Sequence, residues 1–220
     1  MSKVVAVYTG QGLSDQLKPI FQELLPDSQV INVIDDGIIH DIQQDGINEA
    51  IIRRLFTYYR QAEEMGADVI LNTCSSIGEV VDQVQPLIKT PIVKIDEMMA
   101  QEAINNYKRV GVMATLPTTL EPTIRLVKAQ AVQAGKQVEV VNGLAEGAFH
   151  ALIGGNPEEH DLKIEQTAEK IADQVDVIVL AQGSMARMQQ KLQEKTGKPV
   201  LSSPRLGITA VKNIIDQNNR

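Results

Sequence analysis

The chain's only cysteine lies in the stretch DVILNTCSSIGE, residues 68–79. Cys74 stands where an apolar run ends and a polar turn begins. As a thiolate, such a group carries a proton or attacks a carbon centre. A lone cysteine is otherwise most often a small buried apolar residue. Context separates the two readings. Ser76-Ile-Gly-Glu79 has the S-x-x-E form of a capping box, which predicts a helix N-terminus just beyond Cys74. Free amides and the helix dipole favour negative charge there, so the thiol is expected to have a lowered pKa.

The elements that must position this loop alternate regularly. VVAVYT (4–9), VINVI (30–34), DVILNT (68–73), PIVKI (91–95), VGVMAT (110–115), VEVVN (138–142), DVIVLA (176–181) and PVLSS (199–203) read as strands. SDQLKPIFQELL, NEAIIRRLFTYYRQAEEMG and DLKIEQTAEKIADQV read as amphipathic helices. Strands apolar on both faces and separated by helices predict parallel sheets covered on both sides.

The pattern runs twice. KVVAVYT at 3 resembles RVGVMAT at 109, DVILNTCSS at 68 resembles DVIVLAQGS at 176, and TPIV at 90 resembles KPVL at 198. The last two pairs share an offset of 108 residues. The expected fold is therefore α/β: two flavodoxin-like lobes with parallel sheets, related by a pseudo-twofold, with an active-site cleft between them. The first lobe is expected to span 1–97 plus a returning helix at 207–220, and the second 98–206.

Ligands of open parallel sheets bind beyond the carboxyl ends of the strands. The repeat maps Cys74 onto Gln182 and Ser76 onto Ser184, and makes Thr9 and Thr115 correspond. Thr118 and Glu121 have the spacing of a second capping box. The candidate site is thus a set of hydroxyls, amides and one thiol: Thr9, Gln11, Asn72, Thr73, Cys74, Ser75, Ser76, Thr115, Thr118, Thr119, Gln182, Gly183 and Ser184. That chemistry suits a small carboxylate or a cyclic imide-like anion. Ser76 and Thr118 are expected to serve as caps in any case. Asn72 and Thr73 also have a local use in closing a strand. Gly10 is expected for backbone reasons in a strand-to-helix turn. The T-G-Q-G run there lacks the lysine of a phosphate loop.

At these motifs the chain resembles the aspartate/glutamate/hydantoin racemase superfamily. Asn72-Thr73-Cys74-Ser75-Ser76 matches the first cysteine motif, and Ala114-Thr115-Leu-Pro-Thr118-Thr119 the threonine-rich loop of the second lobe. Leu180-Ala181-Gln182-Gly183-Ser184-Met185-Ala186 keeps the frame of the second cysteine motif, but Gln182 stands where the cysteine belongs. The resemblance implies a cofactor-independent isomerase or racemase with a small carboxylate, amino acid or hydantoin-like substrate, and a homo-oligomer. Two-base racemisation needs a proton carrier on each face, and an amide does not titrate near neutral pH. One-base chemistry remains, with Cys74 as acid/base or nucleophile and Gln182 as a donor to a substrate oxygen. A lyase, as in the arylmalonate decarboxylases, or a non-catalytic small-acid-binding protein are the alternatives. The single cysteine of those decarboxylases is on the second lobe.

Other residues bear less. His40 is expected on a solvated loop, and His150 and His160 at the surface or in packing. Asp35 and Asp36 read as turn formers. Arg205 is the basic residue placed to meet a substrate carboxylate. The run RRLFTYYR reads as one helix's polar face and core stripe. A net charge of −7 argues against nucleic acid. No His/Cys cluster has metal-ligand spacing, so no metal is expected, and the resemblance implies that there is no cofactor. No segment is apolar enough for a membrane span, and the N-terminal run is too short for a secretory signal. A cytoplasmic protein is expected.

Overall fold

The computed structural model describes residues 1–218. In chain order the first half contains β1 (Lys3–Tyr8), α1 (Gln11–Leu24), β2 (Gln29–Ile34), α2 (Gly37–Asp45), α3 (Glu49–Glu64), β3 (Val69–Asn72), α4 (Gly78–Val84) and β4 (Ile92–Lys94). Then come α5 (Glu97–Asn106), β5 (Arg109–Ala114), α6 (Pro117–Gln133), β6 (Glu139–Leu144), α7 (Ala148–Ile153) and α8 (Pro157–Ala172). The chain continues through β7 (Val177–Leu180), α9 (Gln189–Thr196), β8 (Val200–Ser202) and α10 (Ser203–Asn218). It divides into two compact units, Met1–Ile95 with Pro204–Arg220, and Asp96–Ser203. The last two residues of the expected returning helix, 219 and 220, lie outside the described residues.

Each unit holds one four-stranded parallel sheet, ordered β2-β1-β3-β4 in the first and β6-β5-β7-β8 in the second. The registers repeat: Lys3 pairs with Gln29 and Arg109 with Glu139, and Ile70 pairs with Ile92 and Ile178 with Val200. The repeated Asp and Pro of the sequence have matching uses. Asp68 and Asp176 each accept the backbone N–H that opens the first strand, from Lys3 at 2.7 Å and Arg109 at 2.9 Å. Pro91 and Pro199 each offer the carbonyl that receives Ile70 or Ile178 N–H at 2.9 Å.

β1, β3, β5 and β7 are buried almost throughout because helices cover both faces, whereas β2 and β6 are edge strands with exposed positions. On one face of the first sheet, Val5, Val7, Ile70 and Ile92 pack with Leu55, Tyr59, Ile77 and Val80. α3 presents Ile51, Leu55, Tyr59 and Ala62 to that core at helical spacing, and the Asn48 side chain caps it by accepting Ile51 N–H at 3.1 Å. Each such large apolar side chain contributes about 2 kcal/mol by leaving water. On the other face, Val4, Leu71 and Val93 pack with Leu17 of α1 and with Ile208 and Val211 of α10. α10 approaches so closely that a Cβ at Gly207 would lie 2.6 Å from the Ile95 carbonyl oxygen. Only glycine fits there.

Candidate active site

In the first unit the loop after β3 is tied down on both sides. Thr73 donates its N–H and its hydroxyl to Val7 O of the neighbouring β1, at 3.1 and 2.9 Å. Asn72 is fully buried; its Oδ1 accepts the Tyr59 hydroxyl at 3.2 Å and its Nδ2 donates to Cys74 O at 3.0 Å. Burial, and then the negative charge of a Cys74 thiolate, push the Tyr59 phenol well above its usual pKa, so it remains a donor. That proton fixes which end of the Asn72 amide faces which partner. Cys74 is extended (φ −123°, ψ 118°) and half-buried, packed against the cluster of Ile77, Val80 and Tyr59. A single 3-10 turn, Ser75–Ile77, follows it, with Ser75 and Ser76 buried. Thr9 leaves β1 half-buried at the same sheet end, and Gln11 opens α1; the Gln11 side chain lies outside what the structure describes.

Neither Ser76 nor Thr118 stands at the cap position that the sequence spacing predicts. Ser76 is inside the 3-10 turn, and α4 begins at Gly78 with Ile77 in the cap position. Thr118 is likewise the second residue of α6, whose cap position is Leu116 with Pro117 at the first turn. At the first place a 3-10 turn carries the fully buried Ile77 into the core before α4 starts, whereas α6 starts earlier than the T-x-x-E spacing implies, with Pro117 as its first residue. Gly10 is also not demanded by the backbone: its φ is −173° and a Cβ there would meet nothing within 4 Å.

In the second unit Gln182 takes the place of Cys74, extended at φ −120° and ψ 131° and followed by a 3-10 segment, Gly183–Met188. Its Oε1 accepts Thr115 N–H at 2.6 Å and the Thr115 hydroxyl at 2.9 Å. Because a backbone N–H only donates, the carboxamide oxygen faces Thr115, and only the NH2 group is left to present to a ligand. Thr115 and Thr119 are buried, Thr118 and Gly183 half-buried, and Ser184 exposed. The structure thus gathers Asn72, Thr73, Cys74, Ser75 and Ser76 in one unit, and Thr115 with Gln182 and its following turn in the other.

Several polar groups are not foreseen in the sequence. Lys94 at the end of β4 is buried, and its Nζ donates to Asp82 Oδ1 of α4 at 2.7 Å. The matching residue of the second unit, Ser202, donates to Gln189 Oε1 of α9 at 2.6 Å. A lysine inside PIVKI is the available signal, a charge amid an apolar strand. Asp35 is not a simple turn former: it accepts from Gly37 N–H at 3.2 Å, from the Tyr58 hydroxyl at 2.5 Å and from Arg54, which also donates to Asp41. Arg54 and Tyr58 come from the run read as one helix's polar face and core stripe. Arg205 is not turned to a substrate carboxylate; its exposed guanidinium grips Glu23 with two hydrogen bonds. His40 is solvated but helical, on α2, and His160 is buried against Asp161. Among the described residues no group of three or more His, Cys, Asp or Glu has metal-site geometry, and no helix is long and apolar enough to cross a membrane. A cavity of about 350 Å³ in the first unit lies between α1 and β2, lined by Tyr8, Ser14, Phe21 and Asn32, and includes no residue of the Cys74 loop.

A family model, Asp/Glu/hydantoin racemase, matches residues 4–211. The chain belongs to the Asp/Glu/hydantoin racemase family. It is an isomerase of that family. The fold is similar to that of glutamate racemase from Francisella tularensis in complex with D-glutamate (TM-score 0.76, 16% identity, 99% of this chain and 82% of that one). It is similar to allantoin racemase from Klebsiella pneumoniae (0.73, 14%, 99% and 89%). The aspartate racemase of Picrophilus torridus is a third such structure (0.70, 14%, 97% and 94%). Comparison with curated protein sequences gave no match.

Proposed function

We propose that this racemase-family enzyme works on a small carboxylate, amino acid or hydantoin-like carbon acid by one-sided proton chemistry, without a cofactor. Cys74 is its single thiol acid/base or nucleophile. Thr9, Gln11, Asn72, Thr73, Ser75, Ser76, Thr115, Thr118, Thr119, Gly183 and Ser184 are the substrate-binding residues of this reading. Gln182 serves as a neutral hydrogen-bond donor. The relatives named for glutamate, aspartate and allantoin support that substrate class.

The observation that carries this reading is the pairing of Gln182 with Thr115. At equivalent places of the two repeats, one loop ends in a titratable thiol and the other in an amide whose oxygen is already used. A proton can be removed or delivered by the first and not by the second. A carbanion held as an enediolate would draw on the amide N–H and nearby hydroxyls for charge stabilisation. The same asymmetry favours decarboxylation followed by protonation on one face as the second reading.

The deciding experiment incubates the protein in D2O with a panel of amino acids, hydantoins and substituted malonates, and follows the α-proton by NMR. Isomerase chemistry exchanges deuterium into substrate or product. Decarboxylation releases carbon dioxide and yields one deuterated enantiomer. Binding without exchange by any member, seen as a thermal shift alone, overturns the catalytic reading.

A further inference from the structure

The two units make the same tie in different chemistry. In each, the last residue of the fourth strand reaches the helix that follows the loop after the third strand. In the second unit the tie is neutral, Ser202 to Gln189. In the first it is an ion pair, Lys94 to Asp82. The neutral form demonstrates that this connection needs no charge to hold its helix. Yet the first unit places an ammonium there whose side chain is only 9% exposed. A buried lysine is costly to desolvate, so its charge calls for a use beyond the tie.

The surroundings of Lys94 point to that use. Lys94 pairs in register with Asn72, so both side chains rise from adjacent strands on the same face of the sheet. Asn72 holds the carbonyl of Cys74. The Lys94 stem lies 3.6 Å (Cδ) from where a Gly78 Cβ would be, at the other end of the Cys74 turn. Cys74 packs into the core cluster of that same face. The turn from Cys74 to Gly78 is therefore held at its start by Asn72, and at its end the Lys94 stem passes beside Gly78 on its way to Asp82 of α4.

We propose that Lys94 is a positioning residue for Cys74: it pins the Cys74 turn and α4 to β4 and supplies the positive charge that favours the Cys74 thiolate. Other titratable groups near this turn do not supply it. Tyr59 of α3 stays a neutral donor. Glu79 and Asp82 of α4 are acidic and oppose a thiolate. Glu63 of α3 is engaged by Lys89 and Thr90 N–H at the opposite, amino end of β4. A nearby cation lowers a thiol's pKa and raises its reactivity near neutral pH. The inference rests on the reading of Cys74 as the reacting thiol.

The test uses the pH profile of iodoacetamide alkylation, which reports Cys74 alone because the chain has one cysteine. Lys94→Met is expected to raise the alkylation midpoint by about one pH unit and slow alkylation about tenfold below it. Lys94→Arg is expected to restore most of the wild-type profile. The double variant Lys94→Ser with Asp82→Gln installs the neutral tie of the second unit and guards against simple unfolding. If it folds with a near-native far-UV spectrum and its alkylation midpoint equals wild type, the inference is overturned. A wild-type midpoint at the ordinary thiol value, with turnover retained in Cys74→Ala, instead overturns the reading of Cys74 itself.

Discussion

The first and second units carry the same scaffold and different ionisable chemistry at the end of it. Sheet order, register, the Asp that anchors the first strand and the Pro carbonyl that starts the third-to-fourth pairing all recur. At the carboxyl end the units part. One has a thiol beside a buried phenol–amide pair and a charged tie; the other has an amide locked to a threonine and a neutral tie. A duplicated fold keeps what its backbone needs, because a sheet slipped by one residue turns its core to water. The loops beyond the strands carry no such constraint and diverge.

The strongest way to break this comparison is to remove the two loop residues in turn. Cys74→Ser is expected to lower kcat/KM by about a thousandfold or more, since it deletes the proton carrier. Gln182→Ala is expected to cost only about tenfold, the worth of a neutral hydrogen bond. Equal losses, measured on whichever substrate exchanges deuterium, would mean that the two loops do equivalent work. The comparison is sharpened by Gln182→Cys, which gives the second unit a thiol. It is expected to yield two alkylatable cysteines and deuterium in both enantiomers of the product. It should also lower stability by about 1–3 kcal/mol, because Thr115 N–H loses its acceptor. Exchange that stays on one face would show that the second loop cannot place a proton carrier at all.

The alternation of Val-rich runs with amphipathic stretches made the eight strands and the duplication readable from the sequence. β3 and β7 are short but buried on both faces, and such strands read as continuous apolar runs. The residues after them were readable because parallel sheets put their loops at one end. What escaped was side-chain commitment. S-x-x-E at 76–79 looks like a cap, yet Ile77 has to be buried first, and burial of an apolar residue outweighs one capping bond of about 1 kcal/mol. Arg205 looked available because its partner, Glu23, is distant in sequence. The charge of Lys94 inside PIVKI was visible but did not name its partner, and the pairing of Arg54 with Asp35 and Asp41 joins separate stretches of the chain that no local motif connects.

A smaller effect isolates the phenol–amide pair that the second unit lacks. Tyr59→Phe removes the donor to Asn72 Oδ1 and leaves that oxygen buried. Stability is expected to fall by about 1 kcal/mol in urea denaturation. Alkylation of Cys74 should keep its pH midpoint, because the phenol is neutral on both sides of the titration. A shifted midpoint would mean that Tyr59, and not only Lys94, tunes the thiol.

The smallest expected difference lies in acid. Each unit contains a carboxylate held below its usual pKa: Asp161 by the Arg187 hydrogen bonds above all, and Asp35, whose burial pushes it up, by the Tyr58 and Arg54 hydrogen bonds that outweigh that burial. A depressed pKa stabilises the fold above the unfolded value of about 3.9, and that stability is lost as pH falls through the folded value. Both Asp161→Asn and Asp35→Asn should therefore lower the urea midpoint at pH 7 and narrow the drop between pH 7 and pH 3. Burial opposes the charge of both carboxylates, and the hydrogen bonds and guanidinium beside each outweigh it, so each drop should narrow. Arg187 stands on the turn that follows Gln182, so this loss of tie would loosen the amide loop, while the thiol loop keeps its own tie through Lys94. If either substitution leaves the drop between pH 7 and pH 3 unchanged, that carboxylate is not an acid-sensitive clamp of its unit.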